Sequence, residues 1–461
     1  MAKLSEKIGY GLGDMSSSMF WKIFTYYLPF FYSQVFGLTL GEAATLLLIT
    51  KLWDALFDPL MGIIADRTKT RYGKYRPYLL WMAIPFAIMG VFTFITPAFA
   101  HGWKLFYAYA SYILMMTVYS GINVPYGAML GVVSDDAQER TVFSSYRMFF
   151  AYGGSFLALA IFEPVRDFFG GMNSTLAWTL TMVVVGAICA VLFYFCFRMT
   201  KEHVVPVFKK EKNSIGKDCL ALLGNKPWWI LLVAAIAALL FNSIRGGVAA
   251  YFFKDYVGQL NSLGMGLTLS CGMFLAIGEI ANMVGVVLAV PISKKIGKKD
   301  TYIMAMIGSG VLSIVFYYMP QNVLGVWCLL VLQVVISAFA GMTFPLLWSM
   351  YADVSDYSEY KNGRSSTGLI FSSSSMAQKF GGAFGSALIL WILAAFSYNT
   401  AQNAIQPSTT LNGLNLMMSW IPAVGCAIAA IAVAFYPLSE KKLKCISSEL
   451  EIRRNKEGAS L

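Results

Sequence analysis

Apolar runs, most of them about 20 residues or longer, recur from end to end of this 461-residue chain. A helix needs roughly 20 such residues to cross a bilayer core. In lipid the backbone must satisfy its own hydrogen bonds, so runs of this length predict membrane-spanning helices. Twelve are legible: near 8–36, 41–65, 77–98, 103–132, 141–164, 174–198, 228–253, 265–292, 301–319, 323–352, 366–397 and 414–437. Only 13% of residues are charged, against about 25% in a soluble domain. The expected class is an all-α membrane protein. The opening "MAKLSEKIGYGLGD" lacks the short apolar core and small-residue cleavage site of a signal peptide, so the first span is expected to stay in the mature chain.

Charge sorts the connecting loops. One set holds "DRTKTRYGKYRP", the long segment near 199–227, "SKKIGKKD", "KNGR" and the tail "SEKKLKCISSELEIRRNK"; the alternate set holds only Lys104, Arg166 and Lys254. Lys and Arg stay on the cytoplasmic side during insertion, which places both termini and the central loop there. The same rule accounts for the net charge of +11 without invoking nucleic acid. None of the seven cysteines falls in a short loop on the opposite side, so no disulfide framework is expected. With only His101 and His203, a histidine proton relay or metal site has almost no material.

The central loop divides the spans six and six: 1–198, a loop at 199–227, 228–437, and a tail at 438–461. "RYGKYRPY" after span two is echoed by "KIGKKDTY" after span eight, and "NVPYGAMLGVVSDD" by "TFPLLWSMYADVSDY". Two halves repeated about an axis along the membrane normal are the pattern of the major facilitator superfamily. Chance similarity on top of basic cytoplasmic loops would leave the same trace.

Nine charges are candidates for positions deep inside the spans: Asp14, Lys22, Lys51, Asp54, Asp58, Arg147, Arg245, Glu279 and Lys379. Each costs on the order of 2.5–3.5 kcal/mol near mid-bilayer, so such groups face a cavity or a partner. Asp54 and Asp58, four apart, share a helix face. Two carboxylates there repel unless a cation or proton intervenes. Lys51 can neutralise only one, which leaves room for Na⁺ or H⁺; a structural ion-pair network is the plainer alternative. Span one aligns Asp14, Ser18 and Lys22; span four offers Tyr119, Ser120, Asn123 and Tyr126. In span eleven Ser375 and Lys379 share a face, while Gly381, Gly382 and Gly385 allow close packing. Hydroxyls, amides and aromatics of this kind suit a polyhydroxylated solute, with Trp53, Phe344 and Trp348 as stacking candidates, although each is equally a packing residue. Asp353, Asp356 and Arg364, with Asp66, Arg67, Arg71, Lys74 and Arg76, read as a cytoplasmic gate or, more plainly, as solvated loops.

"WDALFDP" followed by "DRTKTRYGKYRP" resembles the glycoside–pentoside–hexuronide:cation symporters, as do "GYGLGD", "NVPYG", "ADVSDYSEYKNGR" and "QKFGGAFG" in the same order. The resemblance implies twelve transmembrane helices in two six-helix bundles, alternating access, and sugar movement coupled to Na⁺ or H⁺, without a cofactor. It matches Asp54 and Asp58 to the cation-site carboxylates, with Ser120 and Asn123 beside them, and Lys51 to the basic residue just before. Arg147 matches the sugar-site arginine and Lys379 the span-eleven lysine. Ser18, Lys22, Tyr119, Asn123, Tyr126, Arg147, Phe344 and Lys379 are thus the substrate-site candidates. Asp14, Lys51, Arg245 and Glu279 form the remaining charge network. A monomer in a bacterial inner membrane is implied, partnered by sugar, cation and lipid.

Three departures from the melibiose permease of that family bear on substrate. Asn123 stands for a carboxylate, Gly127 for a sugar-contacting tryptophan and Ser18 for an aspartate. With Lys22 added, the change favours an anionic sugar such as a hexuronide or a sulfonated sugar. A neutral glycoside or pentoside is the alternative, as is an uncoupled uniporter or exporter. A membrane enzyme would need an exposed catalytic loop with acids or metal ligands, which the short loops do not supply. A sugar sensor on the same scaffold is the third class.

Overall fold

The computed structural model describes residues 3–134, 137–203, 222–258, 269–320, 322–362, 367–401, 404–438, 442–443, 445–446 and 448–450. Arg364 and most of the central loop lie outside them, as do the side chains of Asp66 and Ser375. Helices appear where the apolar runs predict them. They are α1 (Leu4–Tyr26), α2 (Leu28–Phe30), α3 (Leu40–Arg67), α4 (Arg76–Trp81), α5 (Ala83–Thr93), α6 (His101–Val133), α7 (Ala137–Phe168) and α8 (Thr175–Met199). After the central loop follow α9 (Lys226–Tyr251), α10 (Cys271–Ile296), α11 (Lys298–Tyr317), α12 (Val323–Asn362), α13 (Thr367–Ala395), α14 (Ser408–Met418) and α15 (Trp420–Ala434). Wider π-helical turns extend α2 over Phe31–Val35 and α9 over Phe252–Val257.

Among the described residues, nine helical segments are long and apolar enough to cross a membrane. The rods that fall short are informative. Asp14 and Lys22 dilute α1, while Lys51, Asp54 and Asp58 dilute α3. The third rod is broken at Met82 into α4 and α5. Proline explains that break and two others. A proline has no N–H, and its ring crowds the carbonyl four residues back. Pro85 therefore interrupts the helix after Trp81, Pro29 after Tyr26 and Pro422 after Met418. The charged stretch "ADVSDYSEYKN", open to reading as loop, instead continues α12 to Asn362.

The chain forms two compact units. The first comprises Met1–Phe208, Gly246–Ile280 and Ser386–Asn415; the second comprises Lys209–Arg245, Ala281–Gly385 and Leu416–Leu461. In the first, α1 packs along α7 and α8, α3 along α6, and α5 between α6 and α8. A Cβ on Gly154 of α7 would lie 2.3 Å from the Met15 carbonyl oxygen of α1, so only glycine permits that contact. An aromatic cluster fills the interior: Tyr27 stacks on Phe162, and Phe94 lies nearly parallel to Trp178. In the second unit, Trp228, Leu231, Tyr302, Met306, Ile336, Leu347, Tyr351 and Val433 share one core. There α10 and α12 touch backbone to backbone twice. A Cβ on Gly285 would sit 2.0 Å from the Ala338 carbonyl oxygen, and one on Gly341 would sit 2.2 Å from that of Asn282. Large apolar side chains such as Leu56, Leu60, Ile63, Ile64, Val287 and Val331 are exposed, the distribution expected where lipid is the outer solvent.

Candidate functional site

α3 sets the site by its own polarity. Between residues 49 and 64 its exposed side chains are apolar, whereas Lys51 and Asp54 are 6% and 2% exposed. The helix thus turns Lys51 and Asp54 inward and Ile49, Leu56, Leu60, Ile63 and Ile64 outward. The Ser120 hydroxyl of α6 donates to Asp54 Oδ1 at 2.6 Å, a short charge-assisted bond. Next to it, Trp53 Nε1 donates to Thr117 Oγ1 at 2.9 Å, holding α3 and α6 in register. Asp58 follows Asp54 by one turn on the same face and is half-buried. Pro59 lies within the helix, so the Ala55 carbonyl loses its usual donor four residues on. Two carboxylates and a hydroxyl are oxygen donors suited to a monovalent cation, and the carboxylates suit a proton.

The remaining charges of the first unit are paired within it. Arg147 Nε donates to Asp14 Oδ2 at 2.9 Å, and its guanidinium lies 5.4 Å from the centre of the Tyr126 ring. Lys22 Nζ lies 2.5 Å from Glu279 Oε1 and 3.3 Å from Tyr26 Oη. Lys51 Nζ donates to Ser386 Oγ at 3.1 Å and sits 5.1 Å from the Trp21 ring centre. Lys22, Lys51 and Arg147 thus lie in the same unit as the acids Asp14, Asp54, Asp58 and Glu279, each of the seven buried or half-buried.

The candidate sugar contacts divide. Tyr119 lies beside Trp21 and Phe86 and Ser18 is half-buried, while the Asn123 amide donates to the Tyr119 carbonyl at 3.1 Å. Tyr126 is fully buried, stacks on Tyr10 at 4.8 Å and donates to its carbonyl at 2.6 Å. Its hydroxyl is thus committed to α1. Phe344 packs edge-on against Trp348 in the second unit, where Lys379 is half-buried on α13. Arg245 is buried in that unit with neutral partners: the Met418 carbonyl, Ser313 Oγ at 3.4 Å and Gln333 Oε1 at 2.5 Å. The Met418 carbonyl is the one Pro422 leaves without a donor, so the arginine completes a broken helix rather than joining a carboxylate network.

At the basic loop ends, Glu202 binds the backbone N–H groups of Lys74, Tyr75 and Arg76 at 2.7–2.8 Å. Sequence reading missed it, because nothing in the sequence brings residue 202 to residue 74. Arg76 donates to the Phe197 carbonyl at 2.8 Å; burial draws its guanidinium below the ordinary range, and Glu202 partly offsets this. Arg71 stacks on Tyr72, and Arg67 is exposed. Asp353 pairs with Lys298, 2.8 Å away in the second unit, and Asp356 lies one turn further along α12.

Helices apolar outside and charged inside, with Asp54 and Ser120 joined in the interior, are the arrangement of a secondary transporter. The comparisons agree. A family model described as MFS/sugar transport protein matches residues 9–440. The putative glycoside/cation symporter YagG of Escherichia coli is 35% identical over 99% of this chain and 97% of its own. The isoprimeverose transporter of Lactiplantibacillus pentosus is 32% identical over 100% and 94%. The crystal structure of a D-xylose–proton symporter superposes with a TM-score of 0.62 at 16% identity, covering 95% of this chain and 98% of that one. The chain belongs to the sugar-transport family of the major facilitator superfamily, among the glycoside–pentoside–hexuronide:cation symporters. It has the major facilitator fold and is a multi-pass membrane transporter, not an enzyme.

Proposed function

We propose that the protein imports a neutral glycoside or pentoside together with Na⁺ or H⁺ by alternating access. The cation is held by Asp54 and Asp58 with help from Ser120 and Asn123. One observation carries the choice of a neutral sugar. Lys22, whose charge favours an acidic substrate in the sequence, is joined to Glu279 at 2.5 Å, and Arg147 is joined to Asp14. A cation already paired with a carboxylate offers little net attraction to a second anion. Gly127 adds support: among the described residues nothing lies within 4 Å of where its Cβ would be, so room is left there. An acidic sugar is the second reading, favoured by the loss of carboxylates at Ser18 and Asn123.

In this reading the cation relieves repulsion between the two aspartates. The sugar's hydroxyls then meet Ser18, Asn123 and Arg147 of the first unit. Both termini face the cytoplasm of a bacterial inner membrane, and the protein acts as a monomer. The test is accumulation by purified protein in vesicles, with a panel of neutral glycosides, pentosides and hexuronides under separate Na⁺ and H⁺ gradients. Uphill uptake of a neutral sugar under one gradient supports the proposal. Uptake confined to acidic sugars, or equal uptake without either gradient, overturns it.

A further inference from the structure

The first unit contains a set of links between its 1–208 part and its 246–280 part, all toward the end that bears the turns at 36–39 and 169–174. Ser33 Oγ meets Tyr251 Oη at 2.6 Å, and Lys254 Nζ donates to Gln34 Oε1 at 2.5 Å. Glu163 Oε2 accepts the N–H of Gly272, in the first turn of α10, at 2.7 Å. A carboxylate at that point meets unsatisfied N–H groups and the positive end of the helix dipole. Glu279 follows Gly272 by seven residues, two turns, and so lies on the same face of α10. There it holds Lys22 of α1. One face of α10 is thus fastened at two levels, to α7 and to α1.

The inner fastening differs in kind from the outer one. Glu279 is 3% exposed, and its Oε2 has no hydrogen-bond partner among the described residues. A permanent brace would satisfy both oxygens, because a buried unsatisfied carboxylate oxygen is costly. An ion pair with one oxygen bare gains less by staying shut, and both of its groups gain hydration when water enters. We propose that Lys22 and Glu279 are positioning residues for transport: a charge latch that closes this end of the molecule and must part each time the end opens. The inference goes beyond the substrate reading and requires only that the protein be a transporter.

Cys271 supplies a native reporter. It is 5% exposed and opens α10 beside the Glu163 contact. The measurement is the labelling rate of Cys271 by a membrane-impermeant maleimide, applied in turn to each side of sealed vesicles, with Cys271→Ser as background. Glu279→Gln and Lys22→Met are expected to raise labelling at least fivefold from one side only. The charge-exchanged pair Lys22→Glu with Glu279→Lys should return it toward the wild-type rate. The rescue separates a latch from simple damage, since a variant that fails to fold would label from both sides and at the other cysteines too. Unchanged labelling in both single variants, a rise on both sides, or no rescue by the exchanged pair overturns the proposal.

Discussion

The Ser120 hydroxyl is the smallest group on which cation binding is expected to depend. Its bond to Asp54 fixes one carboxylate oxygen in place. A hydrogen bond to a charged group contributes about 1.5–3 kcal/mol. Ser120→Ala should therefore weaken the apparent affinity for the coupling cation by roughly tenfold or more, with sugar affinity at saturating cation little changed. Titrating uptake against cation concentration reads this directly; an unchanged cation dependence would remove Ser120 from the site. The aspartates themselves were legible from sequence, because charges in an apolar run stand out and a spacing of four puts them on one face. The pairing of Lys22 with Glu279 was not legible, since 257 residues separate them and the sequence carries no register between distant helices.

At the scale of an element, the loop from Thr70 to Arg76 shows how a short motif acquires its residues. Gly73 has φ +111°, and a Cβ there would lie 2.5 Å from the Glu202 carboxylate. Both facts demand glycine: the backbone conformation is one that side chains rarely adopt, and the carboxylate needs the space to reach three successive N–H groups. Gly73→Ala should lower the thermal midpoint of detergent-solubilised protein by several degrees, whereas Gly171→Ala, strained but uncrowded at φ +82°, should lower it less. Equal shifts would show that Glu202 contributes nothing. Helix positions were read well from hydropathy, but the breaks at Tyr27, Met82 and Ser419 were not. Each follows from a proline three residues or fewer beyond it, a local rule that a window of apolarity averages away.

For the whole molecule, the sidedness argued from loop charge has a direct check. Cys445 is exposed on the tail, whereas Cys189, Cys196 and Cys271 are buried. A membrane-impermeant thiol reagent should label Cys445 quickly in inverted vesicles and not in intact cells. Labelling from outside would reverse the topology and, with it, the assignment of import. The same orientation gives the basic loop set to the cytoplasm, so the ends joined by Lys22 and Glu279 would face outward.

The doubled contact of α10 with α12 has a mechanical consequence. Because each helix presses a glycine against the other's main chain, neither can slide or roll without lifting two backbones apart at once. The two rods are geared together. Spin labels placed on both should keep a constant separation while cargo and cation come and go, whatever the rest of the carrier does around them.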